Sequence, residues 1–416
     1  MKEKLDVQEL RKGMFVCELD RPWLDSPFLF QGFLIDTELE ISELRKLCEY
    51  VYIDTEKGDN KQGEKSSLNV EKNTQEELPS HEDISQRPYL TSFEEEIKPA
   101  GRLREEAQQY MEELFDNVRA GHSIDAIKTR KLVSGMVASI LRNPDALVLL
   151  NSLRDSSDYS IAHSINVCTL TLAFGRYLGL SQPELTEIGM GALLHDVGEL
   201  RVPKEIMSKK GLLSKEENRL MQTHAQHGAD ILKQSEGIPT TAIEIARAHH
   251  ERSNGQGYPE GLQEDDITYF ARIVSIIDVY DTVTTNHNER ASINSTEALK
   301  NMYNWRNEMF NGALVEQFIQ CLGIYPVGSI VELNNGEVGI VIAVELDKRL
   351  QPKLMLVRDQ LKKAYSPPRI INLALHSSDN KASNYEIHKV LEPGDYGIDL
   401  KSYLLREMST ELSLVQ

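Results

Sequence analysis

Between residues 99 and 325 apolar positions recur every three or four residues, in segments 101–119, 124–141, 160–178, 183–194, 215–234, 239–250, 268–286, 295–305 and 311–322. That is the period of helices with one buried face. Pro203 suits a first helical turn and Gly211 the stop after it. Ser214 with Glu217 forms a capping box ahead of the next helix. Strand patterns are nearly missing here, so this stretch reads as an all-helical domain. The flanks differ. In residues 326–416, Ser329–Leu333 and Val338–Val344 surround Asn335-Gly336, a hairpin turn signal, and Leu354–Val357 and Ile370–Leu373 add strands. In residues 1–55 short apolar runs (Met14–Cys17, Phe28–Ile35, Val51–Ile53) surround one helix-like stretch, Glu40–Glu49. Residues 56–98 are rich in Lys, Glu, Asn, Gln and Ser. Such a segment buries too little apolar surface to offset the entropy of ordering, and reads as a flexible linker. The expected class is mainly α: an all-helical domain with a small α+β N-terminal domain, regulatory in role, and a small β-rich C-terminal extension.

Composition narrows the partners. The 416 residues carry 46 Lys+Arg against 65 Asp+Glu, a formal net charge of -19. A chain so acidic is poorly suited to nucleic-acid polymers, whose binding depends on neutralising phosphates. One small anion remains open to it, through a local positive site or a metal. The four cysteines, Cys17, Cys48, Cys168 and Cys321, form no CxxC pair. This argues against a disulfide framework or a cysteine zinc site and fits a reducing cytosol. The start, MKEKLDVQELRKG, lacks an apolar signal core. Runs such as Ala146–Leu150 and Val338–Val344 are too short to span a bilayer. The expectation is a cytoplasmic protein without a membrane span.

The helical stretch holds the chemistry. His163 lies in SIAHSINV, His195 and Asp196 in LLHDVG, His224 in MQTHAQHG, His249 and His250 in ARAHHERSNGQGYPEG, and Asp278 in VSIIDVYD. A lone helical histidine is ordinarily a surface group or a hydrogen-bonded core residue. Here His195-Asp196 follow the apolar run Gly191–Leu194, and Asp278 follows Ile273–Ile277. Ionisable groups at the inner ends of buried helices cost several kcal/mol unless paired. A pair of divalent metals would satisfy them, since imidazole and carboxylate suit iron, manganese or zinc. His227 is needed by no ligand pattern, and His81, His122, His287, His376 and His388 lie in polar contexts.

His195-Asp196, then His224, His249-His250, Gly257-Tyr258-Pro259 and IIDVYD, in this order and spacing, resemble the HD-GYP family of bacterial cyclic di-GMP phosphodiesterases. The matching segments run from Tyr159 to Arg290, and the β tail resembles an extension many members carry. Residues 1–55, with MFV, SPF and VYID, are similar to a small domain often fused to the family. The resemblance implies an HD-type helical domain with metal ligands His163, His195, Asp196, His224, His249, His250 and Asp278. Asp196 would be catalytic, bridging the metals and accepting a proton from the nucleophile. Gly257, Tyr258, Pro259 and Arg290 would bind substrate. Tyr258 would stack on a base or donate a hydrogen bond from a turn that Gly255 and Gly257 permit. The implied cofactors are two divalent transition metals, Fe or Mn first, with Zn or Ni as further options. The implied reaction is hydrolysis of cyclic di-GMP to linear pGpG, with GMP as the further product. Diguanylate cyclase-type signalling proteins are the implied partners, and a homodimer is compatible with the sequence.

This chain departs from the family pattern at three positions. Members with three metals carry a glutamate one turn before the first histidine, where this chain has Tyr159; that favours two metals. Asp158 reads as a helix cap. Glu199 stands where lysine follows the HD motif, and His287 where arginine is usual. Each lost charged hydrogen bond to phosphate would cost about 1–3 kcal/mol. These two departures keep an alternative in view, a weakly active or inactive cyclic-dinucleotide sensor or interaction module. An HD phosphohydrolase acting on another nucleotide fits less well, because of the Gly-Tyr-Pro loop.

Overall fold

A computed structural model describes residues 2–20, 32–35, 38–55, 57, 89–152, 159–285, 292–344, 350–376, 385–392 and 394–398. His81, Asp158, His287 and Arg290 lie outside these residues. The chain divides into two compact units, Met1–His81 and Glu82–Gln416.

In the first unit, β1 (Lys2–Asp6), β2 (Phe15–Leu19), β3 (Phe33–Leu34) and β4 (Tyr50–Asp54) form an antiparallel sheet in the order β1-β4-β2-β3. The helix α1 (Glu38–Leu47) contributes Ile41 and Leu44 to a core with Val16, Ile35 and Val51. The strand β1 carries four exposed residues and one half-buried one, which is why apolar pattern alone does not reveal it.

The second unit opens with α2 (Phe93–Arg119), earlier than the apolar period suggests. Ser92 and Glu95 close a capping box that fixes this start. Glu96, buried one turn inside, accepts from Arg142 at 2.6 and 2.7 Å and from Ser139 Oγ at 2.7 Å, which ties α2 to α3 (Ala126–Arg142). Next come α4 (Pro144–Ser152), α5 (Tyr159–Tyr177) and α6 (Gln182–Leu194). The helix α5 is buried almost all round, and so has little amphipathic pattern of its own. After the HD turn follow α7 (Lys204–Met207), α8 (Lys215–Gln222), α9 (His224–Lys233), α10 (Thr240–Ala248) and α11 (Tyr269–Thr284). The run 215–234, continuous by periodicity, breaks at Thr223. There the His224 ring donates from Nδ1 to the Met221 carbonyl at 2.6 Å. The capping box at Ser214 and Glu217 forms as the sequence implies.

The helices α12 (Ser295–Trp305) and α13 (Gly312–Leu322) lead into a five-stranded antiparallel sheet. Its strands are β5 (Ile330–Leu333), β6 (Val338–Ala343), β7 (Lys353–Arg358), β8 (Ala364–Asn372) and β9 (Ile387–Val390), in the order β8-β7-β6-β5-β9. The β5–β6 turn carries Gly336 at φ +86°, as the Asn-Gly signal requires. The strand β6 packs on α4, which joins sheet to bundle. The fold is mainly helical, with small sheets towards both ends of the chain.

Candidate metal centre

Five helices of the bundle deliver the seven ligand-type residues to one place. His163 projects from the first turns of α5, His195 and Asp196 end α6, His224 begins α9, His249 and His250 follow α10, and Asp278 lies mid-way along α11. All are buried except His250, which is part-exposed. Their ligand atoms gather in two groups, Asp196 with His224, His249 and His250, and His163 with His195 and Asp278.

Asp196 sits between the groups. Its Oδ1 is 3.4 Å from His224 Nε2 and 3.3 Å from His249 Nε2. Its Oδ2 is 3.1 Å from His195 Nε2 and 3.6 Å from His163 Nε2. Asp278 Oδ1 lies 3.2 Å from His163 Nε2, and Asp278 Oδ2 lies 3.7 Å from His250 Nδ1. Both carboxylates therefore face both groups, the arrangement expected of bridging ligands.

The far side of four rings is anchored. Nδ1 of His195 donates to Ala192 O at 2.8 Å, and Nδ1 of His224 to Met221 O. Nδ1 of His249 donates to Ala246 O at 3.0 Å. His163 Nδ1 pairs with Asp281 Oδ2 at 2.7 Å, and Asn166 Nδ2 donates to the other oxygen of Asp281. A proton held at Nδ1 leaves the Nε2 lone pair for a metal. Two of the converging atoms, His195 Nε2 and Asp196 Oδ1, are buried without any hydrogen-bond partner. Buried polar atoms without partners are costly, and a divalent cation between the carboxylates would satisfy both. The donor set, imidazole with carboxylate, suits first-row transition metals.

The electrostatics point the same way. Burial pushes the His163 ring towards the neutral form, yet its hydrogen bonds to Asp278 and Asp281 outweigh this and hold its pKa well above the ordinary value. Burial likewise opposes ionisation of Asp196, and the surrounding histidines, His195 first, reverse it, holding the carboxyl well below its usual range. Burial, then His249, pushes His250 well down. The pocket thus keeps the Asp196 and Asp278 carboxylates ionised while His224 and His250 stay neutral.

Backbone fit sets the spacing. A Cβ at Gly198 would collide with the His224 carbonyl and the Gly228 amide, so the turn after Asp196 lies against the main chain of α9. A Cβ at Gly257 would meet the backbone of Glu251 and Arg252, so the Gly-Tyr-Pro loop folds back on the end of the His-His-Glu segment. Glu251 holds that loop: its carboxylate accepts from the amides of Glu260 at 2.7 Å, Gly261 at 3.2 Å and Leu262 at 3.0 Å. The Tyr258 ring lies 4.6 Å from the His250 ring, and burial pushes its hydroxyl pKa up, keeping it a donor. Gly257 and Tyr258 are part-exposed and Pro259 is exposed.

Two departures find definite places. Tyr159 stacks on His163, ring centroids 5.6 Å apart and planes within 9°. Glu199 accepts from Ser160 Oγ at 2.8 Å, and burial together with Asp196 pushes its pKa up to about 8. It therefore does not turn away from the centre. Asp281, Glu251 and Gly198 are the residues around the ligand set that ligand-seeking misses. The spacing Asp278–Asp281, the glutamate after His-His and the glycine two past His-Asp were their signals.

Residues 147–314 match an HD domain, residues 330–397 a KOW domain associated with HD domain, and residues 2–129 a domain of unknown function. A cyclic di-GMP phosphodiesterase of Pseudomonas aeruginosa is 33% identical over 390 residues, covering 93% of this chain and 92% of its own. The chain belongs to the HD-GYP family. A cyclic di-GMP phosphodiesterase of Thermotoga maritima is 32% identical over 178 residues, 42% of this chain and 48% of that protein. A 3'3'-cGAMP-specific phosphodiesterase of Vibrio cholerae is 35% identical over 143 residues, 34% of this chain and 31% of that one. No single helix among the described residues is long and apolar enough to cross a membrane.

Proposed function

We propose that this HD-GYP chain is a metal-dependent phosphodiesterase that hydrolyses cyclic di-GMP to linear pGpG and onward to GMP, lowering a second-messenger signal in the cytoplasm. The observation that carries this reading is Asp196, whose two oxygens face opposite ligand groups with four anchored imidazoles around them. His163, His195, His224, His249, His250, Asp196 and Asp278 would hold two divalent transition metals, Fe or Mn. Such a pair supplies charge neutralisation of the phosphodiester and activation of water at neutral pH.

The chain's own residues do the rest. Asp196 orients both halves of the site and takes the proton released as water attacks phosphorus; the P–O3′ bond breaks, and that proton passes to the departing 3′-oxygen. Tyr258, half-buried against His250, donates a hydrogen bond or offers its ring face at the mouth of the site. Gly257 lets that loop approach, and Pro259 stiffens it. Arg290 is the proposed cationic contact to phosphate. Glu199, fixed by Ser160 beside Asp196, favours the second reading, a cyclic-dinucleotide sensor of low turnover that docks with diguanylate cyclase-type proteins.

One experiment separates them. Protein loaded with Mn or Fe under reducing conditions is incubated with cyclic di-GMP and with 3'3'-cGAMP, and products are followed by chromatography. Turnover of cyclic di-GMP to pGpG supports the enzyme. Tight binding without product supports the sensor. Faster cleavage of 3'3'-cGAMP would overturn the substrate assignment.

A further inference from the structure

Further along the same helices lies a cavity of about 320 Å³, enclosed by α4, α5, α11, α13 and the C-terminal sheet. Its size falls at the lower end of small-molecule sites, roughly 300–1,000 Å³. Much of its lining is apolar, including Val148, Leu170 and Val344. Asp145 lines it, 7% exposed, and its Oδ2 has no hydrogen-bond partner. Tyr89 and the Val344 amide bond the same carboxyl group. Arg176, 9% exposed, also lines it, its guanidinium 5.3 Å from the Tyr89 ring centroid.

This combination selects among ligands. Arg176 repels a cation, and Asp145, whose buried carboxyl is easily protonated, accepts a neutral group more readily than an anion. A neutral molecule satisfies both when an N–H donor and a carbonyl or ring-nitrogen acceptor lie side by side, as on the edge of a lactam heterocycle. Arginine donating to purine O6 and N7 is a common pairing of this kind. Tyr89, Tyr177 and Tyr280 supply aromatic surface for a flat body.

The cavity also touches the metal centre through one residue. Asn166 lines it and donates to Asp281, whose other oxygen holds His163 Nδ1 at 2.7 Å. We propose that this cavity binds a neutral purine-nucleoside-sized heterocycle between Asp145 and Arg176, and that Asn166 passes its occupancy to His163. Nothing in the metal-centre chemistry requires such a site, and its binding readout does not depend on phosphodiesterase activity.

The test uses guanosine as the probe and the full chain. Calorimetry on metal-loaded protein is expected to show one guanosine bound per chain. Asp145→Asn, and separately Val148→Phe, which fills the apolar wall, are each expected to weaken binding about tenfold or more. Cooperative melting of both variants shows that they fold. By reciprocity, the guanosine affinity of metal-free and metal-loaded protein is expected to differ about fivefold or more. Absence of binding at millimolar guanosine overturns the site. Binding unchanged in both variants overturns it too, because guanosine then sits elsewhere, as in the metal cleft. Equal affinity with and without metal overturns the link through Asn166.

Discussion

Along α5 and α11 the core is polar twice, first at His163 and Asp278 and again further on at Asn166, Arg176 and Tyr280. In the first cluster the outer nitrogens of four histidine rings are tied down, and the inner atoms of His163, His195, His224 and His249 converge on Asp196. In the second, one carboxylate oxygen is left without a partner beside a guanidinium and apolar walls. Many donors aimed at one spot define a site for a small, highly charged ion. A single unsatisfied acceptor in a larger apolar space defines a site for something neutral with a shape. Buried polarity alone does not say which; convergence and volume do.

The largest effect expected from breaking this contrast is at Asp196. Asp196→Ala removes one of the two carboxylates that face both groups, so hydrolysis is expected to fall about a thousandfold or more, as for residues that act as a unit. Metal analysis should drop below two per chain while the melt stays cooperative; wild-type turnover would refute the assignment of Asp196. Next is Asp281→Ala, which leaves every ligand in place and removes only the orienting partner of His163. Metal affinity is expected to fall about 10–100-fold, measured by competition with a chelator. An unchanged affinity would mean His163 needs no orienting.

A smaller effect is expected on the phosphate side. Glu199→Lys with His287→Arg, in an Asp196→Asn background that prevents turnover, is expected to tighten cyclic di-GMP binding about tenfold, the scale of one charge-assisted hydrogen bond. Titration calorimetry at two salt concentrations checks it, and equal affinities would show that neither side chain meets phosphate.

The smallest concerns the second cluster and pH. Burial raises the Asp145 carboxyl from 3.8 to about 7, against the Val344 amide, Arg176 and Tyr89, which lower it. The folded chain therefore holds this proton more tightly than the unfolded one, and the contribution to stability falls as pH rises from about 4 to about 7. The melting temperature of wild type relative to Asp145→Asn should decline between pH 5 and pH 7. A constant difference would place Asp145 in contact with water.

The ligand residues were legible because each interrupts or ends an apolar run: His195-Asp196 after Gly191–Leu194, Asp278 after Ile273–Ile277. The helical class was legible for the same periodic reason. What stayed hidden depends on partners far apart in sequence or on main chain. Asp281 acts on a ring 118 positions away, and Glu251 serves three backbone amides that leave no side-chain pattern. The break at Thr223 was invisible because α8 and α9 are both amphipathic and their apolar faces continue one period. The strand β1 is exposed at four of five positions, and β9 sets two exposed residues, His388 and Lys389, between the half-buried Ile387 and Val390, so alternation could not mark them.

The contact at Gly198 carries a consequence for how such centres vary. The HD turn meets the backbone of His224 and Gly228 with no room for even one carbon between them. The gap across Asp196 is thus gauged by main chain against main chain, which substitution of the surrounding side chains leaves in place. Exchanging a histidine or a carboxylate would change which ion settles and how firmly, while a methyl group at residue 198 would pry the two halves apart with every ligand still present.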